Sequence, residues 1–125
     1  MALPKPTEGE LAILRVLWDR GPSTVREIHQ VLGRTQYTTA LKLLQIMTEK
    51  GLVRREELGR THFYRPCRSE SQTQRQLVKD LLARAFDGSA ARLVMQALAT
   101  RRASPSELDA IQELIDRSRK PRDGK

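Results

Sequence analysis

Four polar side chains, Thr38, Thr39, Lys42 and Gln45, punctuate the stretch YTTALKLLQIMTEK. At about 100° per residue they fall on one side of a helix running from Thr38 to Glu49, with Glu49 beside them. Tyr37, Ala40, Leu41, Leu43, Leu44 and Met47 fall on the other, apolar side. Hydroxyl, amine and amide groups with almost no acid among them suit the donor and acceptor edges that bases present in a major groove. An ordinary amphipathic core helix has the same periodicity, so the flanking residues must decide.

Charge is the first discriminator. The chain of 125 residues carries a formal net charge of +8. Residues 1–33 are balanced, whereas residues 34–68 hold eight basic side chains against three acidic ones. An excess concentrated beside the polar helix face is what a surface facing a polyanion requires. Arg54, Arg55, Arg60, Arg65 and Arg68 mark the stretch after the helix. Gly51 closes the helix as a residue tolerant of the left-handed conformation. Leu52–Leu58 and Thr61–Arg65 are β-compatible runs around Gly59-Arg60, which predicts a tight hairpin with Arg60 at its tip, placed to touch phosphate or the minor groove. Glu56 and Glu57 keep the hairpin from being uniformly basic, so its contact is narrow. One of Phe63 and Tyr64 packs inward and the other presents an edge; the sequence does not say which.

Catalysis finds no constellation. There are two histidines, His29 and His62, and one cysteine, Cys67, with no metal-ligand spacing, phosphate loop or nucleophile motif. No cofactor or metal is expected, and the chain reads as a binding protein and not an enzyme. The lone Cys67 excludes an internal disulfide and fits a reducing, cytoplasmic setting. No apolar run approaches the ~18 residues of a membrane span, and MALPKPTEGE has no secretory pattern.

The elements that must position the polar face come next. Thr7 and Glu10 make a capping box ahead of Leu11, Leu14, Leu17 and Trp18, and Gly21-Pro22 stops that first helix. A second, short helix starts near Ser23 or Thr24, with Glu27 placed for another box. It buries Val25, Ile28, Val31 and Leu32 and ends at Gly33-Arg34. Two helices joined tightly, the second carrying the polar face and leading into a basic hairpin, describe a winged helix-turn-helix. After Pro66-Cys67-Arg68-Ser69 the pattern becomes wholly helical. Ser69 or Ser71 caps a helix with Leu77, Val78, Leu81, Leu82, Ala85 and Phe86. Asp87-Gly88-Ser89 breaks it, and Leu93, Val94, Ala97 and Leu98 form the next stripe. Ser104-Pro105-Ser106-Glu107 opens the last, with Leu108, Ile111, Leu114 and Ile115.

Short amphipathic helices of this kind struggle to close a core alone. Pairing with a second copy solves that and presents two reading helices to a two-fold site. The expected organisation is therefore mainly α with a small β-hairpin. A winged-helix domain occupies residues 1–68, a helical dimerisation region residues 69–120, and a polar tail residues 121–125. The dimerisation residues are Leu77, Leu81, Leu82, Phe86, Leu93, Leu98, Leu108, Ile111, Leu114 and Ile115.

EGELAILRVLW (Glu8–Trp18), YTTALKLLQIMTEKGLVRR (Tyr37–Arg55), Tyr64, AFDGSAARLVMQAL (Ala85–Leu98) and SELDAIQELI (Ser106–Ile115) together resemble the penicillinase (β-lactamase) repressor family of the BlaI/MecI type. The resemblance runs from Thr7 to about Lys120. It implies a repressor that binds a palindromic double-stranded DNA operator as a homodimer. The operator-contacting residues would be Thr38, Thr39, Lys42, Gln45 and Ile46 on the helix, with Arg54 and Arg60 on the hairpin. Some relatives carry Arg where this chain has Ile46, so the operator sequence does not transfer. In well-known members a membrane sensor for β-lactams leads to cleavage at an Asn-Phe bond. Gln96-Ala97 stands at that place, so the bond is absent; the resemblance still implies a sensor protease or its downstream signal as a partner, with release by proteolysis, ligand or partner protein left open. The cysteine cluster of the copper-responsive branch is missing. The competing expectation is a winged-helix interaction module that binds protein or RNA.

Overall fold

A computed structural model describes residues 5–33 and 36–120. The elements are α1 (Glu8–Arg20), α2 (Val25–Leu32), α3 (Tyr37–Lys50), β1 (Val53–Leu58), β2 (Thr61–Pro66), α4 (Glu70–Ala85), α5 (Ala90–Thr100) and α6 (Pro105–Arg119). The strands pair antiparallel in a two-stranded sheet. The architecture is mainly α with one hairpin, arranged as a winged helix.

The helices start where side chains can satisfy the free backbone N–H groups of a first turn. Thr7 with Glu10, Thr24 with Glu27 and Ser104 with Glu107 form complete capping boxes. Of the two candidates before α4, Ser69 does the work: its Oγ accepts from Gln72 N, and Gln72 Oε1 accepts from Ser69 N. Ser23, the alternative cap for α2, is used differently. Its backbone exchanges two hydrogen bonds with Tyr64, Ser23 N to Tyr64 O at 3.2 Å and Tyr64 N to Ser23 O at 2.8 Å. This single bridge ties the turn after α1 to the hairpin.

Of the two hairpin aromatics, the one in that bridge faces inward. Tyr64 is buried and Phe63 is half-buried. Around Tyr64 close Ile13, Leu14, Val16 and Leu17 of α1, Ile28 of α2, Leu44 and Met47 of α3, and Leu52 and Val53 at the entry to β1. Each fully buried aliphatic side chain here contributes about 2 kcal/mol by leaving water. Trp18 packs at the edge of this cluster, and its Nε1 donates to Arg68 O at 3.0 Å.

Two residues expected on buried stripes lie outside. Val31 is 48% exposed and Tyr37 is 46% exposed. Both sit where α2 gives way to α3, and periodicity fixes a helix face without fixing how far its neighbour extends to cover it. Tyr37 meets the edge of the His29 ring instead, with centroids 5.8 Å apart and planes at 82°. Arg34, Thr35 and the tail 121–125 lie outside the described residues.

By contact the chain divides into two compact units, Met1–Asp80 and Leu81–Lys125. The step falls inside α4, later than the composition change at residue 68. The first turns of α4 belong with the winged helix because Thr73 is buried and Lys5 Nζ lies 3.0 Å from Asp80 Oδ2. In the second unit α4 is followed by Asp87 and Gly88, both at positive φ, before Ser89 caps α5. Among the described residues of this unit none is buried.

Candidate nucleic-acid interface

α3 buries Ala40, Leu44 and Met47 and leaves Thr38, Thr39, Lys42, Gln45, Ile46 and Glu49 exposed. The five expected contact residues of this helix therefore share one solvent-facing side, with Glu49 as its only acid. What holds that side in place is the end of the helix. Gly51 takes the left-handed conformation at φ 79° and its N–H returns to Met47 O. Leu52 N also donates to Met47 O, at 2.9 Å. Thr48 turns its Oγ1 back onto Leu44 O at 2.7 Å.

The last residue of α3 makes a second anchor. Lys50 Nζ lies 2.7 Å from Glu10 Oε1, and Glu10 is only 2% exposed. The same oxygen accepts from Thr7 N at 2.9 Å, so one carboxylate caps α1 and clamps the far end of α3. Burial alone would raise the Glu10 carboxyl. The hydrogen bonds from Lys50 and Thr7, with the Lys50 charge, outweigh burial and hold it below the ordinary carboxylate range. Sequence inspection found Glu10 as a cap but not this role, because its partner lies forty residues away. Glu27 is also lowered, by the Thr24 backbone hydrogen bond first and its side-chain hydrogen bond second.

The hairpin turns at Gly59, whose φ of 66° no side-chain-bearing residue adopts cheaply, while Arg60 keeps a negative φ. Left-handed geometry at the first central residue alone is the pattern of a type II′ turn, which matches the twist of the strands. Register places Arg54 opposite Arg65, and Glu56 serves both: its Oε1 lies 3.6 Å from Arg54 Nε and 3.0 Å from Arg65 Nε. Arg54 is thus partly neutralised within the hairpin. Arg60 and Arg55 are exposed and have no ion pair among the described residues. Arg55 was noted in the sequence among the hairpin arginines but was not among the expected contact residues. Strand alternation would have found it, since it faces away from Arg54 and Glu56, on the Tyr64 side. An open groove of about 640 Å³ runs between α3 and the base of the hairpin, lined in part by Gln45, Thr48, Arg54, Arg55, Tyr64 and Cys67. Gln45 and the two hairpin arginines thus border one depression, with Lys42 a turn away on the same helix. His62 and Cys67 are exposed, and no group of three or more His, Cys, Asp or Glu among the described residues is arranged to hold a metal.

The expected dimerisation residues form apolar stripes without a cover. Leu77, Leu82, Phe86, Leu93 and Ile111 are half-buried, whereas Leu81, Leu98, Leu108, Leu114 and Ile115 are exposed. Gln96 and Ala97 lie within α5, both exposed.

A hairpin following a helix with a polar outer face, the pair held to two supporting helices by one core, defines the winged-helix class. Within that class the chain belongs to the penicillinase repressor family, whose model matches residues 6–117. It is 32% identical over 110 residues to the transcriptional regulator BlaI of Mycobacterium tuberculosis, in strain CDC 1551 / Oshkosh and in strain ATCC 25618 / H37Rv. Those alignments cover 85% of this chain and 79% of each relative. Among solved structures, the transcriptional regulator Tm0710 from Thermotoga maritima superposes with a TM-score of 0.55 at 17% identity, over 88% of this chain and 74% of that one. At that identity the likeness speaks for the fold alone.

Proposed function

We propose that this chain is a sequence-specific transcriptional repressor that binds a palindromic DNA operator as a homodimer. The observation that carries the reading is the outer side of α3. Thr38, Thr39, Lys42 and Gln45 stand exposed together on a helix clamped at its far end by Gly51 and the Glu10–Lys50 pair. Side chains of these types reach base edges when a helix enters the major groove. Arg60, without an ion pair among the described residues at the hairpin tip, and Arg55 add sequence-independent phosphate contact, and Arg54 joins them when DNA competes with Glu56. Membership of a repressor family supports the same reading.

The homodimer is supported by the uncovered apolar stripes of α4, α5 and α6. Residues 69–120 act as the dimerisation region, with α4 shared between it and the winged helix. Nothing in the proposal requires a cofactor or catalysis. No described helix is long and apolar enough to cross a membrane, and the setting we propose is the cytoplasm. Cleavage by a sensor protease is not part of the proposal, because Gln96-Ala97 replaces the family's bond and sits inside α5.

The test is selection of duplexes from random DNA by the purified chain, with sedimentation in the same buffer. A dyad-symmetric site bound by a dimer, with affinity falling steeply in salt, is the expected result. Lys42→Ala or Gln45→Ala should then relax sequence preference, and Arg60→Ala should weaken all duplexes alike. Leu81→Glu should give monomers with weak operator binding. Diffuse recovery by a monomer, or a preference for RNA hairpins or a protein surface, would replace the operator reading.

A further inference from the structure

Ile46 is out of place on the outer side of α3. It is 37% exposed, and Lys42, Glu49 and Lys50 stand three or four residues from it along the helix surface. It belongs to neither the buried nor the partly buried residues of the core. A branched aliphatic side chain more than one-third exposed on an otherwise polar face, with hydroxyl, amide and amine groups and the Glu49 carboxylate, still has apolar surface to bury against a partner. Of the four bases only thymine offers an apolar group in the major groove, its C5-methyl.

From this we infer that Ile46 reads thymine: its side chain packs on the C5-methyl of a T·A pair in each half-site, next to the base pair contacted by Lys42. Lys42 and Ile46 are four residues apart, so their side chains emerge as helix neighbours about 5–6 Å apart. Base pairs rise by about 3.4 Å, so the two side chains serve adjacent or next-adjacent steps. Gln45, the preceding residue, borders the same region and can take the N6 and N7 of adenine. The contact is apolar and directional, and it fixes one letter of the half-site that polar contacts alone leave open.

The inference rests on the operator reading above, and its test separates the two. The operator recovered by selection is resynthesised with 2′-deoxyuridine replacing thymine at one symmetric pair of positions at a time. This removes the methyl and keeps every hydrogen-bonding group. Wild type, Ile46→Val, Ile46→Ala and Lys42→Ala are titrated against each duplex. At one position pair wild type should lose about fourfold in affinity per half-site, the cost of one lost buried methyl, and about fifteenfold for both. Ile46→Val should keep the loss, Lys42→Ala should keep it at lower overall affinity, and Ile46→Ala should bind thymine and deoxyuridine duplexes alike. A selected operator insensitive to deoxyuridine everywhere, or a loss that persists undiminished in Ile46→Ala, overturns the methyl contact and leaves operator binding standing. Failure to select any operator overturns both. Because Ile46 is exposed, superimposable circular dichroism and melting of the variants are expected and keep folding out of the comparison.

Discussion

The two units of the chain are made of the same material and differ in what that material packs against. Both use amphipathic helices opened by capping boxes, Thr7 and Thr24 in one and Ser104 in the other. In Met1–Asp80 the apolar stripes meet one another, and Ile13, Leu17, Ile28, Leu44 and Met47 are sealed from solvent. In Leu81–Lys125 stripes of equal quality remain open, with Leu98, Leu108, Leu114 and Ile115 exposed. Once a unit has satisfied its apolar faces internally, its polar faces are free to bind something else, as we propose for Thr38, Thr39, Lys42 and Gln45 on α3. A unit that has not done so leaves its apolar faces as the surface open to a partner, which we propose is a second copy. Polar exposure in the first unit and apolar exposure in the second are thus two readings of one rule, that burial decides which surface is available.

The widest separation between the units should come from matched truncations. Leu17→Ala removes a side chain 1% exposed and should cost about 3 kcal/mol of unfolding free energy. In urea titrations that loss should be the same at every protein concentration. Leu114→Ala removes a side chain 57% exposed and should change the dilute chain by less than about 0.5 kcal/mol. Its effect should emerge only at concentrations where the chain associates, as a weaker self-association in sedimentation. An equal, concentration-independent loss in both variants would mean that the second unit has a core of its own.

A smaller effect, about 2 kcal/mol, is expected from the clamp between α1 and α3. Breaking a fully buried pair costs more, about 3–5 kcal/mol, but Lys50 keeps a third of its side chain in solvent. The effect should also depend on pH in a definite direction. The folded state holds the Glu10 carboxyl below its ordinary value, so it binds that proton more weakly than the unfolded chain does. The stabilisation is complete above the ordinary carboxylate range and is lost as pH falls through the folded value. In Lys50→Met the Lys50 hydrogen bond and charge are lost while burial and the Thr7 hydrogen bonds remain, so the carboxyl moves up and the variant loses stability chiefly where Glu10 is charged. The gap between wild type and Lys50→Met should therefore be full at pH 7 and shrink toward pH 4. A gap that does not change with pH would remove the charge from the account and leave only the packing of the Lys50 stem.

Much of this was legible in the sequence, and the residues show why. Capping boxes, the Gly51 stop and the Gly59-Arg60 turn are local signals, each complete within four residues, and all lie where expected. Family membership was legible from runs such as YTTALKLLQIMTEKGLVRR, because order along a chain needs no coordinates. What stayed hidden was long-range. The Ser23–Tyr64 bridge is made by backbone atoms, which carry no side-chain signature, and it holds the hairpin against the turn after α1 with Tyr64 inward. The Lys50–Glu10 pair joins two residues with ordinary local roles. Val31 and Tyr37 looked buried because a stripe predicts a face and says nothing of where the opposing helix stops. Arg54 was the exception: its partner Glu56 lies two residues away on the same strand face, within reach of alternation alone.

The smallest predicted effect sharpens the comparison furthest, because it holds chemistry constant and changes only context. The boxes at Thr24 and Ser104 are nearly identical. Thr24 Oγ1 accepts from Glu27 N at 3.2 Å and Ser104 Oγ from Glu107 N at 3.1 Å, and the return bonds are 2.9 and 3.0 Å. Replacing either cap by alanine costs its helix about 1 kcal/mol. α2 is bound into a core through Ile28, so Thr24→Ala should pass that cost to the whole first unit and lower its unfolding midpoint cooperatively. No residue of α6 is buried, so Ser104→Ala has no core through which to spread its cost. It should appear instead as faster amide hydrogen exchange confined to the first turns of α6, with the midpoint of the first unit unmoved. If Ser104→Ala lowers that midpoint as Thr24→Ala does, the two units unfold as one and the division at residue 80 has no energetic meaning. If exchange stays local in dilute protein and becomes protected as concentration rises, the cover that α6 lacks is supplied by a second copy of the chain.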